Sequence, residues 1–216
     1  MRDMLIRNSS FHLERQNREV ESRIVVALER ISEAFRVLLW KESKANSLSP
    51  IQIQILIFLR FHSREKSRIS YLAKEFNMTK ATVSESVKGL LMKSLVKKQP
   101  DVSDTRSYTL SLTEAGEQTA SNVSAFSSFI EQPISQLDPA QKDAMLGGLL
   151  KLIHDLNRMG IITVQRMCYT CAYYRSDNGS HYCRLLQAAL FDRDIRLDCP
   201  EHQAVTDPPP PAQILR

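Results

Sequence analysis

Residues 67–95 read SRISYLAKEFNMTKATVSESVKGLLMKSL and hold two short amphipathic patterns in succession. Ile69, Leu72, Ala73 and Phe76 recur at helical spacing and form one apolar stripe; Val83, Val87, Leu90 and Leu91 form a second. Asn77 and Met78 leave only a tight turn between them, and Thr79 supplies the hydroxyl that an N-cap needs. The spacing predicts a helix-turn-helix. Its second helix turns outward Lys80, Thr82, Ser84, Glu85 and Lys88, small polar and basic side chains of the kind that meet base edges and phosphates. A plain helical hairpin would show the same stripes, so the flanking residues decide.

Downstream, Leu95–Gln99 and the alternation of Tyr108, Leu110 and Leu112 are two short strand patterns around a polar tip at 100–107. A helix-turn-helix followed at once by a hairpin is a winged helix. Arg106 at the tip suits the negative potential of a minor groove, and Asp104 is assigned to holding the wing tip. Charge agrees: from Arg64 to Arg106 there are ten Lys or Arg against five acids, a surplus equal to the +5 of the whole chain. A basic patch confined to one segment is the footprint of a polyanionic partner.

Upstream, residues 14–46 contain neither Pro nor Gly and predict one long helix. Ile24, Leu28, Ile31, Phe35 and Leu38 form a heptad-like seam along it, suited to a partner subunit. The stretch SPIQIQILIFLRF at 49–61 is ambiguous. Its alternating isoleucines read as a strand, whereas Ser49 followed by Pro50 reads as a helix start.

The residues 77–116, NMTKATVSESVKGLLMKSLVKKQPDVSDTRSYTLSLTEAG, resemble the core of MarR-type winged-helix regulators. Thr79, Thr82, Val83 and Ser84 meet a T-x-x-T-V-S-like run, Asp104 and Arg106 an Asp-x-Arg at the wing, and Leu112, Thr113 and Gly116 a Leu-Thr-x-x-Gly. Ser94 stands where that family often has glycine. The resemblance is close over these forty residues and extends through helix order to roughly 14–160. It implies that 50–61 is helical and that the chain forms a homodimer through its first and late helices. It also implies a palindromic double-stranded DNA operator and a small-molecule or redox effector that alters binding. Two late helices are visible independently, at 113–132 and at 138–159; the second opens with Asp138 and Pro139 and has Leu146, Leu149, Ile153 and Leu156 on its apolar face.

After Gly160 the character changes. All four cysteines of the chain, Cys168, Cys171, Cys183 and Cys199, follow as C-x2-C-x11-C-x15-C. The opening residues show no apolar leader-type run and no stretch approaches eighteen apolar residues, so the expected compartment is the cytoplasm, with no membrane association. Thiols are kept reduced there, which favours a metal centre over disulfides. Zinc would use the Cys168–Cys171 knuckle, with His202 or His181 as substitute ligands. A 4Fe–4S cluster is placed slightly ahead of zinc. C-x2-C followed by two isolated cysteines, with Tyr173 and Tyr174 after the knuckle, is similar to small high-potential iron–sulfur proteins, although their tryptophan-flanked cysteine is missing. A thiol switch ranks third, since no βαβ pattern surrounds the cysteines.

The expected architecture is mostly α: an N-terminal dimerisation helix (1–47), a winged helix-turn-helix (48–115), C-terminal dimerisation helices (116–160), a four-cysteine metal module (161–203) and a disordered Pro-rich tail (204–216). The expected function is DNA-binding transcription regulation through Thr79, Lys80, Thr82, Ser84, Lys88 and Arg106. A metal- or redox-dependent enzyme is disfavoured, because no G-x-G-x-x-G, P-loop or catalytic triad stands out. A protein-interaction role for the winged helix is the remaining alternative.

Overall fold

The computed structural model describes residues 9–100, 108–177 and 179–205. After Gln54 the chain divides into two compact units. The first holds helices α1 (Leu13–Arg18) and α2 (Val20–Asn46). The single helix expected over 14–46 is therefore broken, and Glu19 is the break, with extended φ −116° and ψ 121°. Its carboxylate accepts from the Arg15 guanidinium at 2.9 Å and from the Ser22 hydroxyl at 3.3 Å, local bonds that compete with the helical backbone. Along α2 the predicted seam lies largely open: Ile24 is 51% and Phe35 41% exposed.

Helix α3 (Pro50–Phe61) resolves the ambiguous stretch. The Ser49 N–H donates to Gln52 Oε1 at 2.9 Å and the Gln52 N–H donates to Ser49 Oγ at 3.3 Å, a reciprocal cap ahead of Pro50. Ile53, Ile55 and Leu56 are all fully buried. A helix apolar nearly all round buries adjacent isoleucines and imitates a strand pattern.

The second unit carries the winged helix: α4 (Ile69–Glu75), α5 (Lys80–Met92), β1 (Val96–Pro100), β2 (Tyr108–Leu112) and α6 (Glu114–Ser124). The strands pair antiparallel, Val96 opposite Leu112 and Pro100 opposite Tyr108. Leu72, Val83, Val87, Leu90, Leu110 and Val123 are buried as the core. Arg64 braces the hairpin from outside, its Nε donating to Thr109 Oγ1 at 2.9 Å. The turn from α5 into β1 passes through Ser94 in the left-handed region, φ 56°. Any side chain there is strained, so Ser94→Gly should raise stability by about 1 kcal/mol, read as a higher melting temperature.

The helix expected over 113–132 ends early. Hydroxyls of Ser124, Ser127 and Ser128 each turn back to a carbonyl three residues earlier, and a 3-10 turn separates α6 from α7 (Ser128–Ser135). Helix α8 (Pro139–Arg158) opens on a capping box between Asp138 and Gln141. Its fully buried residue is Leu150, whereas Leu146 on the expected apolar face is exposed. Beyond it lies a three-stranded antiparallel sheet of β3 (Tyr174–Asp177), β4 (Ser180–Cys183) and β5 (Ala188–Leu190), in the order β3-β4-β5. No helix among the described residues is long and apolar enough to cross a membrane.

Candidate DNA-binding face and cysteine site

Helix α5 begins where Thr79 Oγ1 accepts the Thr82 N–H at 3.1 Å, the cap its sequence predicts. Asn77, at φ 50°, makes the turn that brings α5 across α4. Val83, Val87 and Leu90 point into the core, so helical periodicity turns Lys80, Thr82, Ser84 and Lys88 outward, and all four are exposed. The ammonium of Lys88 reaches Glu85 only at 3.9 Å, a loose exposed pair that leaves the charge available. On the hairpin, Lys98 stacks over Tyr108 at 4.4 Å. Arg106 and Asp104 lie outside the described residues.

The four cysteines, spread over 32 residues of sequence, line one cavity of about 30 Å³. Its other walls include Tyr173, Tyr174, Leu185, Leu186 and Leu190. The 3-10 turn Cys168–Thr170 presents the knuckle, β4 delivers Cys183, and the segment after Ile195 delivers Cys199. The cysteines form no disulfide. The Arg196 N–H donates to Cys168 Sγ at 3.2 Å, and the Arg196 guanidinium lies 3.6 Å from Cys199 Sγ. Burial pushes the Cys168 thiol above the ordinary cysteine range, helped by the other three cysteines and opposed by the Arg196 N–H. Cavity volume and spacing bear on what fits. Among the described residues no group of three or more Cys, His, Asp or Glu side chains is gathered as it stands to hold a metal. About 30 Å³ exceeds the roughly 10–15 Å³ that one water-sized body needs. Neither histidine lines the cavity: His202 Nε2 is bonded to Thr170 Oγ1 at 3.0 Å, and His181 Nδ1 to the Tyr174 hydroxyl at 2.5 Å.

A third constellation has no signature in the sequence. Arg166 is only 8% exposed, and its guanidinium donates to Glu75 at 2.6 and 3.1 Å, to Asp198 at 2.6 and 2.9 Å and to the Tyr71 hydroxyl at 2.9 Å. His62 Nε2 closes the group at 2.6 Å from Asp198 Oδ2. Burial works against the charges, yet Arg166 and His62 hold the Asp198 carboxyl down to about 2. The partners are 32, 91, 95 and 136 positions apart in pairs, so no periodicity could have revealed them.

Comparison with known proteins places these elements. Residues 48–116 match the family model described as a winged helix DNA-binding domain. Among solved structures, Staphylococcus aureus MepR in its DNA-binding conformation is 23% identical, with a TM-score of 0.55 over 62% of this chain and 98% of that one. The MepR–DNA complex gives 0.54 at 23% identity over 61% and 97%. A MarR transcriptional regulator from Methanosarcina mazei Go1 gives 0.51 at 21% identity over 60% and 95%. No curated protein matches the sequence. The chain thus has the winged-helix fold of MarR-type regulators, mostly helical, with small sheets added near its C-terminal end.

Proposed function

We propose that the protein is a homodimeric, sequence-specific DNA-binding transcription regulator of MarR type, acting in the cytoplasm, whose four cysteines hold a 4Fe–4S cluster responsive to redox state or iron. One observation carries the DNA-binding part: a capped recognition helix turns Lys80, Thr82, Ser84 and Lys88 to solvent while its other face is sealed into the core. MepR, similar in fold, has been seen on DNA. The dimer reading is supported by the open apolar seam of α2, including Ile24, Ile31 and Phe35. A two-fold dimer in turn calls for a palindromic site, with one recognition helix per half-site.

The cluster is preferred to zinc for its surroundings: the four sulfurs line a cavity walled by Tyr173, Tyr174, Leu185, Leu186 and Leu190, the aromatic and aliphatic shell that limits solvent around a cluster. N–H donors from Arg196 aimed at two sulfurs are the contacts that tune a cluster's potential. Cys168, Cys171, Cys183 and Cys199 would be the ligands. When bound, the group would supply one-electron chemistry; the chain's part is to hold it, exclude water and transmit its state.

Selection from random duplexes, followed by fluorescence anisotropy against salt, tests the DNA reading. Lys88→Ala should weaken binding to every sequence alike and lower the salt slope by about 1. Thr82→Ala or Ser84→Ala should instead alter which bases are preferred. Duplex binding that ignores salt would point to a protein-interaction role. Iron and sulfide, or one zinc per chain, measured on protein purified without oxygen, separate the two metal readings.

A further inference from the structure

The cysteine module and the helix-turn-helix belong to the same compact unit and are joined by more than packing. Arg166 stands two residues before Cys168, and Asp198 one before Cys199. Their backbones interlock: the Cys199 N–H donates to the Arg166 carbonyl at 3.0 Å and the Cys168 N–H to the Arg196 carbonyl at 3.0 Å. From these same two segments the side chains of Arg166 and Asp198 reach Tyr71 and Glu75 on α4 and His62 just after α3. A second tether lies beside them. The Thr163 hydroxyl contacts the Lys74 carbonyl in the last turn of α4 at 2.7 Å and the side chain of Asn77, in the turn that launches α5, at 2.8 Å.

We infer, building on the regulator reading above, that the Arg166–Asp198 clamp and the Thr163 tether transmit the loading of the four-thiol site to the recognition helix, so that DNA affinity depends on whether that site is filled. Two features argue for transmission over passive bracing. The module's fully buried apolar residues are only Met167 and Ile195, packed with Leu150 of α8 and the partly buried Ile153, Tyr169, Tyr174 and Leu190, a small core whose order a group bound among the cysteines would reinforce. Met167 lies between the clamp arginine and the first cysteine, and Ile195 beside Arg196, so the same few residues hold both the site and the clamp. The clamp is also intolerant of small displacement. Arg166 and Glu75 are mostly shielded from water, and separating them strands a charge. When the thiol site empties, segments 166–171 and 196–202 lose their fixed geometry. The clamp and tether then release α4 and the Asn77 turn, and with them the cap that sets Lys80, Thr82 and Ser84.

The test compares metal-loaded protein with the same protein after anaerobic chelation, in the wild type and in Glu75→Gln and Thr163→Val, neither of which touches a cysteine. Operator affinity is read per loaded chain, and amide exchange is followed over Ile69–Glu75. In the wild type, metal removal should change affinity by roughly 5- to 150-fold and speed exchange in α4, and in the variants the difference should shrink to about twofold. Variants that keep the full wild-type difference overturn the coupling, as does a wild type whose affinity and α4 protection ignore metal removal. Those results leave the DNA-binding and metal readings standing. A chain that takes up neither iron nor zinc removes both the metal reading and the coupling. A metal-loaded chain that finds no operator sinks the DNA reading, and α4 exchange then decides the coupling alone.

Discussion

On the proposed metal reading, alanine at any one of Cys168, Cys171, Cys183 or Cys199 should abolish metal uptake and unravel residues 161–205, while His181→Ala and His202→Ala should keep it. All four sulfurs line a single cavity, and both imidazoles are engaged elsewhere, with Tyr174 and Thr170. The scale of the effect follows from how little else holds the module. For small metal domains, binding free energy is folding free energy, about 10–16 kcal/mol in zinc-bound peptides at neutral pH. Against that, the module's two fully buried apolar side chains, Met167 and Ile195, contribute about 1.5–3 kcal/mol each, with Tyr169, Tyr174 and Leu190 adding partial burial around them. Iron, sulfide and zinc per chain measure occupancy, and limited proteolysis measures the module. The winged helix, with its own core of Leu72, Val83, Val87 and Leu90, should still melt cooperatively in each variant. A single cysteine variant with full metal content would rule out a four-thiol site. Loss of metal in His202→Ala would mean that the imidazole exchanges Thr170 for the ion and would favour zinc.

The parts of the protein that sequence made visible are those in which one element's pattern is enough. Thr79 as a cap, the Val83–Val87–Leu90 stripe and the outward face of α5 follow from periodicity and hydroxyl chemistry within a dozen residues. The strand pair was legible for the same reason, Leu110 and Leu112 alternating with Ser111. What misled or stayed open was local too. The isoleucine alternation in α3 leaves strand and helix open, because a helix buried on most sides imitates a strand pattern, and the helix-start signal at Ser49 and Pro50, seen as the Ser49–Gln52 cap, is the one that holds. Glu19 breaks a helix that contains no Pro or Gly, because its carboxylate finds Arg15 and Ser22 at once. The serine hydroxyls at 124, 127 and 128 likewise end α6 with no classical breaker. The cysteine count announced a shared site, but that the thiols meet in one aromatic cavity depends on a sheet whose short strands carry no clear alternation. The Arg166 clamp was wholly illegible: an arginine, two acids, a tyrosine and a histidine are unremarkable until folding brings them together.

Gly116→Ala should lower the melting temperature by roughly 10 °C, the consequence of about 3 kcal/mol lost in a chain of this length. A Cβ built on Gly116 would stand 1.9 Å from the Leu95 carbonyl oxygen, a backbone atom that no rotamer can move aside. That oxygen is also held in place, accepting the Thr113 N–H at 3.1 Å and the Thr113 hydroxyl at 3.3 Å. Thr113 in turn caps α6 by accepting the Gly116 N–H at 3.0 Å, so glycine, cap and the entry to β1 form one closed contact. Relieving the clash means either lifting α6 away from the hairpin or breaking the cap, and both loosen the wing's base. Gly147, in the middle of α8, provides the contrast. Nothing lies within 4 Å of a Cβ there, so Gly147→Ala should stabilise by about 1 kcal/mol through helix propensity alone. The same substitution is expected to carry opposite signs at two helical positions, and the deciding quantity is the distance to one carbonyl. A Gly116→Ala protein that melts with the wild type would mean that α6 can shift without loss. The wing would then be a looser attachment than the Thr113 and Leu95 contacts describe.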